Sequence, residues 1–394
     1  MARWPKVEYT EEGMREGMQI EDANISVDDK VKLIDALSET GLKRMVIGSF
    51  VSPKWTPQMA KIDEIVTKFH PKPGVIYTAL ALNERGVERA KQYSPPLTID
   101  RDAYPRLACH MCDVFVRRNT NRPQADEMAR WPQIVAQAHE RGVKEAGIGT
   151  NASWGSNFLG EFPVDTLMTM YEKQHKLWDE VGIKVVSVSA GDPMSWCVPH
   201  KVAETVVRVK EKWPEVHHFR LHLHNGRGLA VASAYAALRE MEPTDTVHLD
   251  GTIGGYGGCP YCGNGRATGM APSEDLLHML EDMGIPTGVD IDKLIDAVWM
   301  VEKVVGRTLY GHVSKAGPRP RGKRLFDINA PFVETLEQAK HFKYGPDTYK
   351  GAVYPYEKPV TSEYRDRIDK GLPAYDPPTG NFPWQQDWFP AKGK

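Results

Sequence analysis

Two histidines, His222 and His224, stand two residues apart in the run LHLHNGRG. On a strand, side chains at that spacing share one face, and two imidazoles so placed make half of a divalent-metal site. The run GMREGMQ carries Arg15 and Glu16 side by side, with Gln19 at its end. A guanidinium there polarises a carbonyl, and a carboxylate ligates a cation. The stretch GGCPYCGNGR places Cys259 and Cys262 on glycine-rich chain. It admits three readings: a metal knuckle, a redox pair, or a loop that carries one working thiol. Each motif also has a bland alternative, namely histidines satisfied by hydrogen bonds, a surface ion pair, or inert cysteines.

The elements that must position these groups follow from hydrophobic patterning. Apolar runs at Lys43–Phe50, Val75–Leu82, Leu107–Val116, Glu145–Gly149, Ile183–Ser189, Phe219–His224 and Val247–Asp250 read as strands, with one more before Gln19. Amphipathic helical patterns lie between them. Ser26 caps the first helix with Asp29 three residues on, Val31, Ile34 and Leu37 mark its face, and Gly41 ends it. Strands alternating with helices predict a parallel sheet, and eight such units predict a (β/α)₈ TIM barrel. Chemistry then gathers at the C-terminal ends of the strands. Asp192, Asp250, Asn83, Arg117 and Arg118 fall near such ends and join the candidates.

Bulk composition narrows the classes. The chain has 394 residues, of which 41% are hydrophobic and 26% charged, with a formal net charge of −2. That balance gives no electrostatic reason to expect nucleic acid or a membrane as partner. The first residues lack the apolar core of a secretory signal, and no apolar run reaches the ~20 residues of a membrane span. A cytoplasmic location is expected. Five cysteines are an odd number and do not read as a disulfide framework. Cys109-His-Met-Cys112 and Cys259-Pro-Tyr-Cys262 invite a zinc reading, but the gap between them is far longer than in a zinc ribbon. After about Arg307 periodicity fades into Tyr, Pro, Trp and Gly. The expected division is a barrel over 1–315 and an irregular C-terminal extension over 316–394. The extension wraps the barrel or a neighbouring subunit, or covers a ligand.

Taken together, these stretches resemble the 3-hydroxy-3-methylglutaryl-CoA lyase family of metal-dependent barrel enzymes. The resemblance rests on EEGMREGMQIEDANISVDDKVKLIDALSETGL, SFVSPKWTPQMA, HLHNGRGLAVASAYAAL, GGYGGCPY and SEDLLHMLEDMGIPTGVDIDKLI, in that order. It implies a divalent cation, Mg²⁺ or Mn²⁺, and cleavage of a carbon–carbon bond beta to a thioester carbonyl. By the same resemblance the metal ligands fall on Glu16, His222 and His224. The enolate-stabilising arginine falls on Arg15 and the proton donor on Cys259. Asp192 matches an aspartate near substrate. Gln19, Asn83, Arg117 and Arg118 are further substrate-binding candidates.

The departures are specific. The family's aspartate ligand is Glu16 here, one methylene longer. An acidic position of the second strand falls on Val46, and an asparagine ligand falls on Met270, with Asn264 a nearby substitute. These changes leave three options open: a metal held by fewer protein ligands, a softer metal such as Zn²⁺ or Co²⁺, or a site altered toward another substrate. The expectation is a carbon–carbon lyase on a 3-hydroxyacyl-CoA, working as a homo-oligomer. The alternatives are an aldolase on a CoA-free 2-keto acid and a catalytically silent scaffold barrel.

Overall fold

The computed structural model describes residues 3–99, 104–259, 269–322, 325 and 370–371. The chain divides into two compact units, Met1–Ala316 and Gly317–Lys394. Almost all of the second, and with it the expected extension, lies outside the described residues, as do Cys262 and Asn264.

The first unit alternates strands and helices. Strands β1 (Lys6–Glu11), β2 (Arg44–Ser49), β3 (Ile76–Leu80), β4 (Arg106–His110) and β5 (Glu145–Asn151) come first. A short antiparallel hairpin, β6 (Gly155–Ser156) with β7 (Gly160–Glu161), interrupts them. Strands β8 (Lys184–Asp192), β9 (His218–Leu223) and β10 (Thr246–Gly251) complete the set. The helices between them are α1 (Val27–Ser38), α2 (Ile62–Lys68), α3 (Glu84–Lys91), α4 (Asp113–Thr120), α5 (Gln124–Ala129), α6 (Trp131–Glu140), α7 (Val164–Asp179), α8 (Pro199–Lys212) and α9 (Ala230–Arg239). Helices α10 (Ser273–Asp282) and α11 (Ile291–Val305) follow.

Eight parallel strands form one sheet in the order β3-β2-β1-β10-β9-β8-β5-β4. That is the neighbour order of a TIM barrel, with β3 and β4 at the two ends of the ladder. Beside β3, Tyr77 bridges in parallel to Leu97, and the Thr98 amide donates to the Tyr77 carbonyl at 2.8 Å.

Alternation along the strands explains the barrel's two surfaces. On β9, Phe219, Leu221 and Leu223 are buried, and on β10 so are Val247 and Leu249. The opposite face of β9 carries Arg220 and His222, and that of β10 carries His248 and Asp250, as period-two geometry requires. This polar face lines the barrel's cavity with Arg220, His222 and Asp250. Helix α1 begins as expected: the Ser26 hydroxyl accepts from the Asp29 amide at 3.0 Å. Its inner face buries Leu33, Ile34 and Leu37 completely, each contributing roughly 1.5–3 kcal/mol.

Two local expectations are corrected. The run Leu107–Val116 is not one strand: β4 stops at His110, and α4 starts at Asp113. An unbroken apolar run does not by itself separate strand from helix. Here Cys112 supplies the cap, its sulfur accepting from the Phe115 amide at 3.4 Å. Helix α1 ends at Ser38 with Glu39 as its cap, so Gly41, at φ +93°, shapes the turn beyond the helix. Among the described residues, no helix is long and apolar enough to cross a membrane.

Candidate metal centre and active-site cavity

A cavity of about 590 Å³ opens at the strand ends. Glu16, His222 and His224 meet there, one ligand atom from each lying within 4.8 Å of the others. Glu16 is not on a strand. The chain leaves β1 and coils through a tight turn, Gly13–Gly17, in which the amides of Arg15, Glu16 and Gly17 all point at the Glu12 carbonyl. This turn drops Glu16 into the mouth of the barrel, and Arg15 with it. One Glu16 oxygen pairs with the Arg15 guanidinium. The other stands 3.9 Å from His224 Nε2. Burial pushes the Glu16 carboxyl up, but Arg15, His224 and His222 outweigh it and hold the group below its ordinary range.

Asp250 orients the first imidazole. Its Oδ2 accepts from His222 Nδ1 at 2.9 Å, which leaves Nε2 as the ring's candidate ligand atom. His248 Nε2 stands 3.1 Å from the other Asp250 oxygen, and Thr10 Oγ1 lies 2.8 Å from the same His248 nitrogen. A carboxylate behind a ligating imidazole fixes the ring and raises its basicity. Burial pulls the His222 pKa down, yet Asp250, Glu16 and Glu12 together raise it. The surroundings thus attract positive charge. One carboxylate and two imidazoles, converging in a partly anionic mouth, fit a divalent cation with oxygen–nitrogen preference.

The thiol sits at the same mouth. Cys259 lines the cavity and is nearly buried, in a small cluster with Cys112, Phe115, Ala152 and Met194. The four described cysteines are not in disulfides. Cys109, Cys112 and Cys259 join no metal-ligating group among the described residues. The loop into Cys259 rests on the ligand turn: the Tyr256 hydroxyl donates to the Gly13 carbonyl at 2.5 Å. Gly257, at φ +109°, passes so close that an added Cβ would stand 2.7 Å from the Glu16 carbonyl oxygen.

Other expected site residues divide. Gln19 lines the cavity, with Nε2 3.5 Å from the Gly258 carbonyl. Val46 also lines it. Met270 is fully buried, pairs its backbone with His224, and does not line the cavity. Asp192 is fully buried at the end of β8, and it too is absent from the lining. Its two oxygens accept from the Trp196 and Cys197 amides at 2.8 and 2.7 Å. Asn83 caps α3 by accepting from the Gly86 amide. Arg117 and Arg118 lie on the last turn of α4, both exposed; Arg117 pairs with Asp113 and Arg118 stacks over Phe158. None of these four reaches the cavity lining.

Comparison with known proteins agrees with this geometry. The family model described as HMGL-like matches residues 6–301. The chain belongs to the HMGL-like family. Among its relatives, the 3-hydroxy-3-isohexenylglutaryl-CoA/hydroxy-methylglutaryl-CoA lyase of Pseudomonas aeruginosa is 32% identical, over 79% of this chain and 97% of that protein. The (R)-citramalyl-CoA lyase of Chloroflexus aurantiacus is 30% identical, over 77% of this chain and 92% of that one. A solved HMG-CoA lyase from Acinetobacter baumannii, in complex with coenzyme A and 3-methylmalate, superposes with a TM-score of 0.64 at 27% identity. It covers 82% of this chain and 98% of that one. This HMGL-like protein is accordingly an enzyme of the carbon–carbon lyase type.

Several polar residues of this HMGL-like cavity were not singled out by sequence reasoning. Glu12, Arg106, His110, Glu127, Asn151 and Arg220 all line it. Arg220 had a legible signal, because it precedes His222 by two on the same strand face. His110 and Glu127 had none, since 17 residues separate them.

Proposed function

We propose that the enzyme cleaves a 3-hydroxyacyl-CoA by retro-aldol chemistry at a divalent cation, Mg²⁺ or Mn²⁺. The convergence of Glu16, His222 and His224 beside Arg15 and Cys259 carries this reading. A bound cation would lower the pKa of the substrate hydroxyl and polarise the oxygens it holds. Glu16, His222 and His224 would hold it, with Asp250 fixing the His222 ring. Arg15, tethered to Glu16, places fixed positive charge where the thioester enolate develops. Cys259 S–H supplies the proton that quenches the enolate carbon. The nearly buried position of Cys259 excludes water from that transfer. The relatives' named substrates, all CoA thioesters, support the thioester class. Val46, apolar at the cavity wall, favours a less polar substituent on the acyl chain. The functional form is a homo-oligomer with the barrel in residues 1–315.

The test is release of acetoacetate from 3-hydroxy-3-methylglutaryl-CoA with Mg²⁺, Mn²⁺ or Co²⁺, repeated after chelation. Metal-dependent release supports the reading. Without release, other 3-hydroxyacyl-CoAs are tried, and failure on all of them overturns it; cleavage of a CoA-free keto acid instead supports the aldolase alternative. Cys259→Ala and His222→Ala are each expected to lower kcat by about 10²-fold or more with the fold intact. Retained turnover in both would remove these roles.

A further inference from the structure

Retro-aldol cleavage leaves one task without a residue. The substrate hydroxyl must lose its proton as the carbon–carbon bond breaks, and a base must accept it. Glu16, His222 and His224 are spoken for as ligands, and Asp250 is bound to His222. Glu12 faces the Arg15 guanidinium at 3.5 Å.

On another part of the wall stands an imidazole held in an unusually determined pose. His110 is the last residue of β4, where barrel chemistry gathers. Its Nδ1 is 2.7 Å from Glu127 Oε1, and its backbone amide donates to Glu127 Oε2 at 3.0 Å. Its carbonyl accepts from Gln124 Nε2 at 2.6 Å. Glu127 and Gln124 both belong to α5, so one helix fixes the ring from behind. Phe115 packs against the ring, with centroids 5.5 Å apart.

With Nδ1–H committed to a carboxylate, Nε2 carries the lone pair. Asn151 ends β5 as the register partner of His110, and its Nδ2 lies 3.5 Å from that Nε2. The Asn151 Oδ1 accepts from the Ala152 amide at 2.8 Å, which leaves the NH₂ for the ring and the cavity. A lone pair beside an N–H donor is the complement of a hydroxyl group: the first takes the proton, the second stays with the oxygen. His110, Glu127 and Asn151 line the same cavity as the metal cluster. Phe115 also belongs to the buried cluster that contains Cys259, and His110 and Cys259 line the same cavity.

Building on the lyase reading, we infer that His110 is the general base of the cleavage, with Glu127 as its positioning residue and Asn151 as a donor to the departing carbonyl oxygen. The O–H bond breaks and its proton forms an N–H bond at His110 Nε2. The freed oxygen pair becomes the second bond of a C=O, and the pair of the carbon–carbon bond leaves as the thioester enolate. Cys259 S–H protonates the enolate carbon. The imidazolium then returns its proton to the thiolate, directly or through water, and no proton is gained or lost overall. Glu127 stabilises the imidazolium while it exists, as an orienting carboxylate does in other dyads.

The test uses the full chain with Mn²⁺ and whichever 3-hydroxyacyl-CoA the wild type cleaves, 3-hydroxy-3-methylglutaryl-CoA first. His110→Ala is expected to lower kcat by about 10²–10⁴-fold with KM little changed. Added imidazole is expected to restore part of that loss, because the truncated side chain opens onto the cavity. Glu127→Gln, which keeps the shape, is expected to give a smaller fall in kcat and no rescue. Mn²⁺ binding by calorimetry is expected to match wild type in both variants. Wild-type kcat in His110→Ala overturns the inference, and so does a loss that imidazole leaves untouched or that comes with loss of Mn²⁺ binding. A wild-type chain that cleaves no 3-hydroxyacyl-CoA overturns the lyase reading itself, and that is seen before any variant is made.

Discussion

Asp250 stands behind His222 at the candidate metal centre. It is fully buried; burial pushes its carboxyl up, but Arg220, His222 and His248 hold it well below its ordinary value. An anion kept at the back of the ring fixes which nitrogen faces the cation. Asp250→Asn preserves size and removes that charge. It is expected to weaken Mn²⁺ binding by about 10–100-fold, measured by calorimetry, with little change in the folded structure. Unchanged affinity would place the orienting role elsewhere. The convergence of the candidate ligands His222 and His224 was legible, because an H-x-H spacing on a strand puts both rings on one face wherever the strand lies. Glu16 was legible only as half of an adjacent Arg-Glu pair, and its descent into the mouth depends on the Gly13–Gly17 turn. Asp192 illustrates what a strand-end position alone leaves open. Its position at a strand end suits a site residue, yet both of its oxygens are engaged by the Trp196 and Cys197 amides. Sequence records a carboxylate, not the amides that a following turn aims at it.

At the scale of elements, the loop from β10 to Cys259 and the turn after β1 are pinned together. Glu11 accepts from the Gly13 amide at 2.7 Å and the Ile253 amide at 3.0 Å, and Glu274 accepts from the Gly254 amide at 2.8 Å. Burial raises Glu11 from 4.5 to about 7, and it raises Glu274 from 4.5 to about 8. Both groups therefore bind a proton more tightly folded than unfolded. Their stabilisation is fully present below about pH 4.5 and is lost as pH rises through about 7 and about 8. At about 1.4 kcal/mol per pKa unit, Glu11 contributes on the order of 3–4 kcal/mol. Denaturant titrations are expected to show stability falling from pH 5 to pH 8, with a flatter profile in Glu11→Gln. The opposite slope would mean that these carboxylates are charged in the folded state. Gly257 makes a second element-scale prediction. A side chain there meets both a left-handed backbone and the Glu16 carbonyl. Gly257→Ala is expected to cost roughly 1–3 kcal/mol locally and to lower kcat more than global stability. The sequence identified this loop by its glycines, and it predicted the strand–helix alternation from patterning. It misplaced the start of α4, because a sulfur cap at Cys112 leaves no signature in an apolar run.

At the scale of the whole molecule, the candidate cation ties together parts of the chain that are distant in sequence. Glu16 follows β1, while His222 and His224 come from the end of β9, and the sheet brings them together only through the pairing of β1 with β10 and of β10 with β9. A cation bound at that seam stabilises the folded barrel and has little affinity for the unfolded chain, where the ligands are apart. Mn²⁺ at a hundredfold excess over its Kd is therefore expected to add about 2.7 kcal/mol to unfolding. A melting curve reads this as a rise in Tm that chelation reverses. His224→Ala is expected to melt at one temperature with or without Mn²⁺. The same measurement examines the division of the chain. If the unit Met1–Ala316 carries the whole site, a chain ended after Ala316 is expected to show the same Mn²⁺-dependent rise in Tm as the full chain. A shortened chain that melts cooperatively but no longer responds to Mn²⁺ would assign part of the metal centre to the residues that follow. The pattern of eight strand–helix units made the barrel legible. It does not record how the two barrel seams meet, because register between strands distant in sequence is decided by packing across the sheet, not by any local run of residues.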